Sequence, residues 1–268
     1  MTTTITLPRE FGRQAFGESP AAYHGARPEY PEWVYATLAQ ECGLRPKAVV
    51  FEIGAGTGKA THRLLELGAD PLTAIEPDPR LADFLRTTLA GEALKVVVAA
   101  FEEASLEPGV FDLGVSATAF HWLDEDPALV KIAGLLRPGG WWAALWNEFG
   151  DDSRPDPFHE ATRELLGTLD SPAAGKRGTA SFGSDSTARL AALKRTGAFD
   201  RVEYRAQRWP LVLDADQTVA LYATFSNVIA HPDRAAVLSE LGHIARGVFG
   251  DRVVRNMTTS LYIARRAG

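Results

Sequence analysis

The feature that most constrains this chain is Glu52-Ile53-Gly54-Ala55-Gly56-Thr57-Gly58, set between the apolar run 49–53 and a stretch of helical periodicity over 59–67. Closely spaced glycines let a backbone turn sharply and approach a ligand. A helix beginning directly after them offers unpaired N–H groups and the positive end of its dipole. Such a turn favours a carboxylate or phosphate, and spacing separates the nucleotide chemistries that use it. A dinucleotide fingerprint needs a third glycine where Lys59 stands, and a phosphate-binding P-loop needs a glycine where Ile53 stands and Ser or Thr where Ala60 stands.

The same rhythm of apolar run, turn and helical stretch continues along the chain. Strands are expected over 49–53, 72–76, 95–99, 111–116 and 141–146, with helices over 59–67, 79–89 and 127–136. Gly68 stops the first helix, Pro79 suits a first helical turn, and Arg137-Pro138-Gly139-Gly140 ends the third. The alternation predicts an α/β fold, a parallel sheet covered by helices. After Asn147 the pattern breaks into Gly-, Asp-, Ser- and Pro-rich chain, with a helical stretch over 158–169. Residues 148–184 are read as a lid insertion, a mobile surface excursion being the alternative. Helix over 186–196, strand over 202–213, mostly helix over 216–249 and a closing strand over 258–265 follow. The expected organisation is an N-terminal helical flap (1–46), a core (47–147), the lid (148–184) and a C-terminal part of the same sheet with covering helices (185–268).

The Glu-x-Gly-x-Gly-x-Gly string resembles motif I of class I S-adenosylmethionine (SAM)-dependent methyltransferases. Ser116-Ala-Thr-Ala-Phe-His-Trp122, Arg137-Pro-Gly-Gly140, Trp146-Asn147 and Tyr23-His-Gly-Ala-Arg27-Pro-Glu-Tyr30-Pro31 are similar to the small-molecule branch that includes trans-aconitate and ubiquinone-biosynthesis methyltransferases. The resemblance covers roughly residues 20–147. It implies a Rossmann-like seven-stranded sheet with helices on both faces, six strands parallel and the last antiparallel. It also implies SAM as cofactor, with the methionine part held by Glu52, Gly54, Ala55, Gly56 and Gly58. Glu76 and Pro77 would meet the ribose, and Phe101 and Glu102, with Ser116 and Ala117, would complete the cofactor site. Tyr23 and Arg27 would close over the cofactor and meet its carboxylate. Many relatives carry an acidic residue where Ala100 stands, so a carboxylate at the adenine must come from Glu102.

Methyl transfer from a sulfonium is an in-line displacement in which alignment and exclusion of water dominate, so no catalytic triad is required. His121, after the fourth strand at the carboxyl edge of the sheet, is the candidate base; the alternative is that His121 and Trp122 pack or shape the substrate. His24, Phe120, Trp122 and Asn147 are the candidate substrate contacts, and 225–231 a possible far wall. Trp141, Trp142 and Trp146 are expected to pack against flanking helices. The other histidines lack ligand spacing, so no metal site is expected. The acceptor is expected to be a small, partly apolar molecule methylated on oxygen, carbon or a carboxylate. The Asp/Asn-Pro-Pro-Tyr string typical of amino-directed enzymes is missing after strand four.

The net charge of -6 and pI near 5.6 provide no basic field for a nucleic-acid partner. Cys42 is the single cysteine, which precludes an intramolecular disulfide and fits a reducing cytoplasm. No secretory signal and no transmembrane run are expected, and the sequence leaves oligomeric state open. Two alternatives stand beside the enzyme reading: a non-catalytic SAM-binding or regulatory protein, and an NAD(P)-dependent oxidoreductase.

Overall fold

The computed structural model describes residues 4–91, 93–150, 156–174 and 180–268. The chain opens with β1 (Thr4–Thr6), a 3-10 turn at Arg9–Arg13, α1 (Pro20–Ala26) and α2 (Glu32–Glu41). The expected alternation follows: β2 (Ala48–Ile53), α3 (Lys59–Glu66), β3 (Ala69–Ile75), α4 (Pro79–Thr88), β4 (Leu94–Val97), β5 (Phe111–Ala117), α5 (Glu125–Leu135) and β6 (Leu136–Phe149). Then come α6 (Pro157–Leu166), β7 (Thr168–Asp170), α7 (Ser186–Arg195), β8 (Phe199–Leu213), α8 (Ala215–Tyr222), α9 (Ser226–Ile229), α10 (Arg234–Gly247) and β9 (Val253–Arg266).

Seven strands form one twisted sheet in the order β4-β3-β2-β5-β6-β9-β8. β9 runs antiparallel to both neighbours, and the other six strands are parallel to one another. The central strands are apolar on both faces because helices cover both. One face buries Val50, Leu72, Leu113, Val115 and Ala143 against Val34 and Leu38 of α2 and Leu64 of α3. The other buries Phe51, Ile75, Trp142 and Trp146 against Leu129 and Ile132 of α5 and Leu193 of α7. A third cluster, around Phe158, Tyr222, Val237 and Leu241, joins α6, α8, α9 and α10 into a helical cap.

Helix starts follow the local chemistry. Asp78 accepts from the Arg80 amide at 2.9 Å ahead of Pro79, and Asp156 accepts from the His159 amide at 2.7 Å ahead of Pro157. Asp214 and Gln217 make a reciprocal capping box on α8. The cap is tied to the sheet by an ion pair at 2.9 Å between Arg255 of β9 and Asp156, both side chains 2% exposed. The Asn256 amide and the Tyr222 hydroxyl complete that knot.

Several expectations are corrected. The fifth strand begins at Leu136 rather than Trp141 and continues past Trp146 to Phe149, because β9 pairs with it from Trp141 through Phe149. Its early residues Gly139 and Gly140 shape the entry: Gly139 has φ +75°, and a Cβ on Gly140 would lie 2.8 Å from the Phe111 carbonyl. The N-terminal segment is not wholly helical, since β1 pairs in parallel with β7 in a separate two-stranded sheet. Of the expected lid, 151–155 and 175–179 lie outside the described residues.

Candidate active site

The carboxyl ends of β2, β3, β5 and β6 open into one cavity of about 1080 Å³. Its floor is the glycine turn. Gly54 has φ +67° and Gly56 +57°, a region that favours glycine, and a Cβ on Gly54 would lie 2.4 Å from that of Ala119. The amides of Gly54 and Ala55 both donate to the Ile75 carbonyl, at 2.8 and 3.2 Å, which fixes the turn against β3.

Two buried carboxylates stand behind this turn. Glu52, on β2, accepts from the Thr61 hydroxyl at 2.6 Å; burial pushes it up to about 8, with the Thr61 bond opposing and the charge of Glu76 adding. Glu76, directly after β3, accepts from the Gly56 amide at 2.7 Å and the Asp78 amide at 2.9 Å. Its burial raises it to about 7 against those two bonds. A carboxylate has about four lone-pair positions, so Glu76 retains acceptor capacity on the cavity side.

Gly54, Ala55, Gly56, Glu52, Glu76, Pro77, Phe101, Glu102, Ala117, Tyr23 and Arg27 all line this cavity, and so do His121, Trp122 and Asn147. Arg13 pairs with Glu102 at 3.2 Å, and Lys131 fixes the Phe101 carbonyl at 2.7 Å. The Arg27 guanidinium donates to the Thr224 carbonyl at 2.8 Å and lies over the rings of Tyr23, Phe149 and Phe225, while its buried Nε has no hydrogen-bond partner. Tyr30 hydrogen-bonds Thr118 at 2.8 Å, and both line the cavity.

Four expected contacts lie elsewhere. Ser116 is fully buried, and its hydroxyl donates to the Ile53 carbonyl at 3.0 Å, a tie between strands. Gly58 serves helix packing, since a Cβ there would come within 2.5 Å of Leu85 on α4. Phe120 is core, with its ring 5.3 Å from Trp142. His24 packs on Phe84 of α4, ring centroids 5.6 Å apart.

His121 and Asn147 reach the cavity in different states from those expected. The Trp146 indole N–H donates to His121 Nδ1 at 3.0 Å, so the neutral ring carries its proton on Nε2. Burial, then the Arg27 charge, lower His121 to about 3. It therefore offers the cavity a hydrogen-bond donor, and the proton-accepting role expected of it has no free lone pair. Asn147 spends its amide on the scaffold, donating to the Glu29 carbonyl at 3.1 Å and accepting from Thr259 at 2.7 Å.

One cavity-lining acid lies outside the expected set. Glu148, the next residue of β6, lines the cavity with a carboxylate that burial raises to about 7, against hydrogen bonds from Ser181 and the Gly183 amide. Its signal in the sequence is position alone, an acid two residues past the expected end of the strand at the ligand-binding edge. Phe225, Ser226 and Asn227 also line the cavity, as their place between two helical stretches suggested.

The arrangement suits SAM: a glycine turn open to a backbone-hugging ligand, a strand-end carboxylate for a diol, an aromatic–acid pair after β4, and an arginine with an unpartnered buried N–H. A doubly wound sheet bearing that site defines the class I methyltransferase architecture. A family model described as "Methyltransferase domain" matches residues 51–144. The malonyl-[acyl-carrier protein] O-methyltransferase of Geobacter sulfurreducens is 30% identical over 267 residues, 94% of this chain and 90% of that protein. An uncharacterized methyltransferase of Mycobacterium tuberculosis is 35% identical over 147 residues, 53% of this chain and only 56% of that protein's length. Among solved structures, Haemonchus contortus phosphoethanolamine N-methyltransferase 2, in complex with phosphomonomethylethanolamine and S-adenosylhomocysteine, shares the fold. Its TM-score is 0.60 at 14% identity, over 97% of this chain and 59% of that one.

The chain belongs to the class I SAM-dependent methyltransferases. Membership of that family sets aside the NAD(P)-dependent oxidoreductase alternative. Among the described residues no helix is long and apolar enough to cross a membrane.

Proposed function

We propose that this enzyme methylates a small, partly apolar acceptor on oxygen, carbon or a carboxylate, in the manner of the trans-aconitate and ubiquinone-biosynthesis branch. The observation that carries the reading is the cavity of about 1080 Å³, just above the roughly 300–1,000 Å³ of a one-ligand pocket. The glycine turn occupies one part of its wall, and Trp122, Trp146, Phe149, Tyr204 and Phe225 wall another. That leaves an aromatic chamber beside the cofactor cradle. The likeness to an O-methyltransferase along most of the chain supports oxygen among the acceptor atoms.

Bound at the cradle, SAM supplies a methyl group on a positively charged sulfur. In this reading the backbone of Gly54, Ala55 and Gly56 holds its methionine part and Glu76, beside Pro77, accepts from its ribose hydroxyls. Phe101 and Glu102 flank its base, and Arg27, beside Tyr23, meets its carboxylate through the unpartnered N–H. Trp122 and Asn147 shape the acceptor side, Asn147 by fixing the wall, while residues 4–46 and the described parts of 148–184 cover the site and keep water out.

Calorimetric titration with SAM and S-adenosylhomocysteine, with NAD and ATP as controls, tests the cradle. A panel of hydroxyl, enol and carboxylic acceptors, read by S-adenosylhomocysteine release, tests the acceptor class. Saturable binding of the two sulfur nucleosides with turnover of a small acceptor is expected; binding with no turnover across the panel would sink the small-molecule reading.

A further inference from the structure

The mechanism so far contains no proton acceptor: of the two histidines in the cavity wall, His121 has its accepting nitrogen taken by Trp146, and His159 stands on α6 of the helical cap. Near the end of β6, beside the middle of β8 and β9, the described cavity wall holds one carboxylate outside the cofactor cradle's own set, that of Glu148. It is built in rather than loose. Ser181 donates to Oε2 at 3.0 Å, the Gly183 amide donates to the same carboxylate, and a Cβ on Gly183 would collide with Oε1. Tyr262 in turn holds the Gly183 carbonyl at 2.8 Å.

We infer that Glu148 takes the proton from the acceptor, and that the acceptor is an uncharged hydroxyl compound of phenol or enol type and not a carboxylate. This rests on the methyl-transfer reading above. The strand alternation puts Glu148 on the same face as Trp142 and Trp146, next to the aromatic chamber that receives an apolar body. Its carboxylate is fixed by two donors, which leaves lone pairs for an O–H.

Besides Glu52, Glu76 and Glu102 of the cofactor cradle, the titratable and charged groups lining the cavity are Tyr204 and Arg208 of β8, His121 of the turn before α5, His159 of α6, Tyr23 of α1, Arg27 just after it, Tyr30, Arg13 and Lys59. Tyr262 of β9 packs behind, where the charges of Arg189, Glu148 and Asp185 act on it. None of these is among the influences on the Glu148 carboxylate, which are burial and the two donors. An acid raised to about 7 is matched to a base working near neutrality.

In the step, the acceptor O–H bond breaks and its proton goes to Glu148. The oxygen lone pair forms the new bond to the methyl carbon as the carbon–sulfur bond breaks, leaving that electron pair on sulfur and the sulfur neutral. Glu148 returns its proton to water once product leaves. A carboxylate acceptor would need no base and would meet a second negative charge here.

The test uses the whole protein with S-adenosylhomocysteine bound, at pH 8, and two probes that share a phenyl ring, phenol and benzoate. Wild type is expected to prefer phenol; Glu148→Gln should weaken phenol by about tenfold, the loss of a charged hydrogen bond, and strengthen benzoate. In carbon-13 spectra the carboxyl signal missing from Glu148→Gln should titrate with a midpoint near 7 in wild type. Ser181→Ala, which keeps the carboxylate and removes one donor, should move that midpoint higher. A preference for benzoate, a preference that survives Glu148→Gln, binding of neither probe, or a midpoint in the ordinary carboxylate range would each overturn the inference. Failure to bind S-adenosylhomocysteine would instead overturn the reading beneath it.

Discussion

Replacing Glu52 by Gln should stabilise the protein in a pH-dependent way. Glu52 is 1% exposed, and its side chain has one hydrogen-bond partner, the Thr61 hydroxyl, which Gln also satisfies. In the folded protein its proton is released near 8 instead of the ordinary 4.5. The sign follows from proton binding. Below 4.5 both folded and unfolded states hold the proton and stability is complete. Between 4.5 and 8 only the folded state holds it, so stability is lost as pH rises, at about 1.4 kcal/mol per pH unit for this group. Over the whole window the loss amounts to roughly 5 kcal/mol. Gln carries no such loss. Unfolding by urea at pH 5.5, 6.5, 7.5 and 8.5 should therefore show the variant gaining on wild type by about 1.4 kcal/mol per unit and levelling off above 8. A gap independent of pH would refute the argument that burial of this carboxyl is what raises it.

Glu76→Ala should weaken S-adenosylhomocysteine by about tenfold or more in calorimetry, the worth of a charged hydrogen bond; unchanged affinity would remove Glu76 from the ribose. Because Glu76 titrates near 7, cofactor affinity should fall as pH drops through that value, and the fall should vanish in the Ala variant. His121→Ala strands the Trp146 indole N–H and should cost about 1–3 kcal/mol of stability. It should leave the shape of the pH–rate profile unaltered; loss of a limb would reinstate His121 as a base. Gly54→Ala should abolish cofactor binding, since the new methyl meets Ala119 in a backbone conformation that disfavours it. Asp156→Ala uncovers the buried charge of Arg255 and should cost about 3–5 kcal/mol, read from the urea midpoint.

What the sequence made legible was local. The glycine turn, the strand before it and the helix after it are contiguous, so their chemistry is legible at one place; the strands from Val49 to Trp146 follow from periodicity, and their order in the sheet from the family resemblance. What escaped depends on partners far along the chain. Thr4–Thr6 is too short to announce itself and becomes a strand through Thr168–Asp170. Glu148 was assigned to the insertion because apolar patterning stops at Trp146, while pairing with Thr258 carries the strand past it. For His121 the two readings, base or packing, separate for a similar reason: its accepting nitrogen is taken by a tryptophan 25 residues away. Ser116 and Phe120 were placed in the site by position after the fourth strand, and only the fold shows which of those side chains face inward.

The paired amides of Gly54 and Ala55 on the Ile75 carbonyl have a consequence for how the cofactor arrives. A run of three glycines in five residues would, untethered, sample many backbone shapes and would lose that freedom on meeting a ligand, at about 1–2 kcal/mol per residue fixed. Here the sheet has already imposed the shape during folding. The nucleoside meets a surface already arranged for it, so its association is a docking step with little ordering left to do, and the full strength of its contacts is retained as affinity.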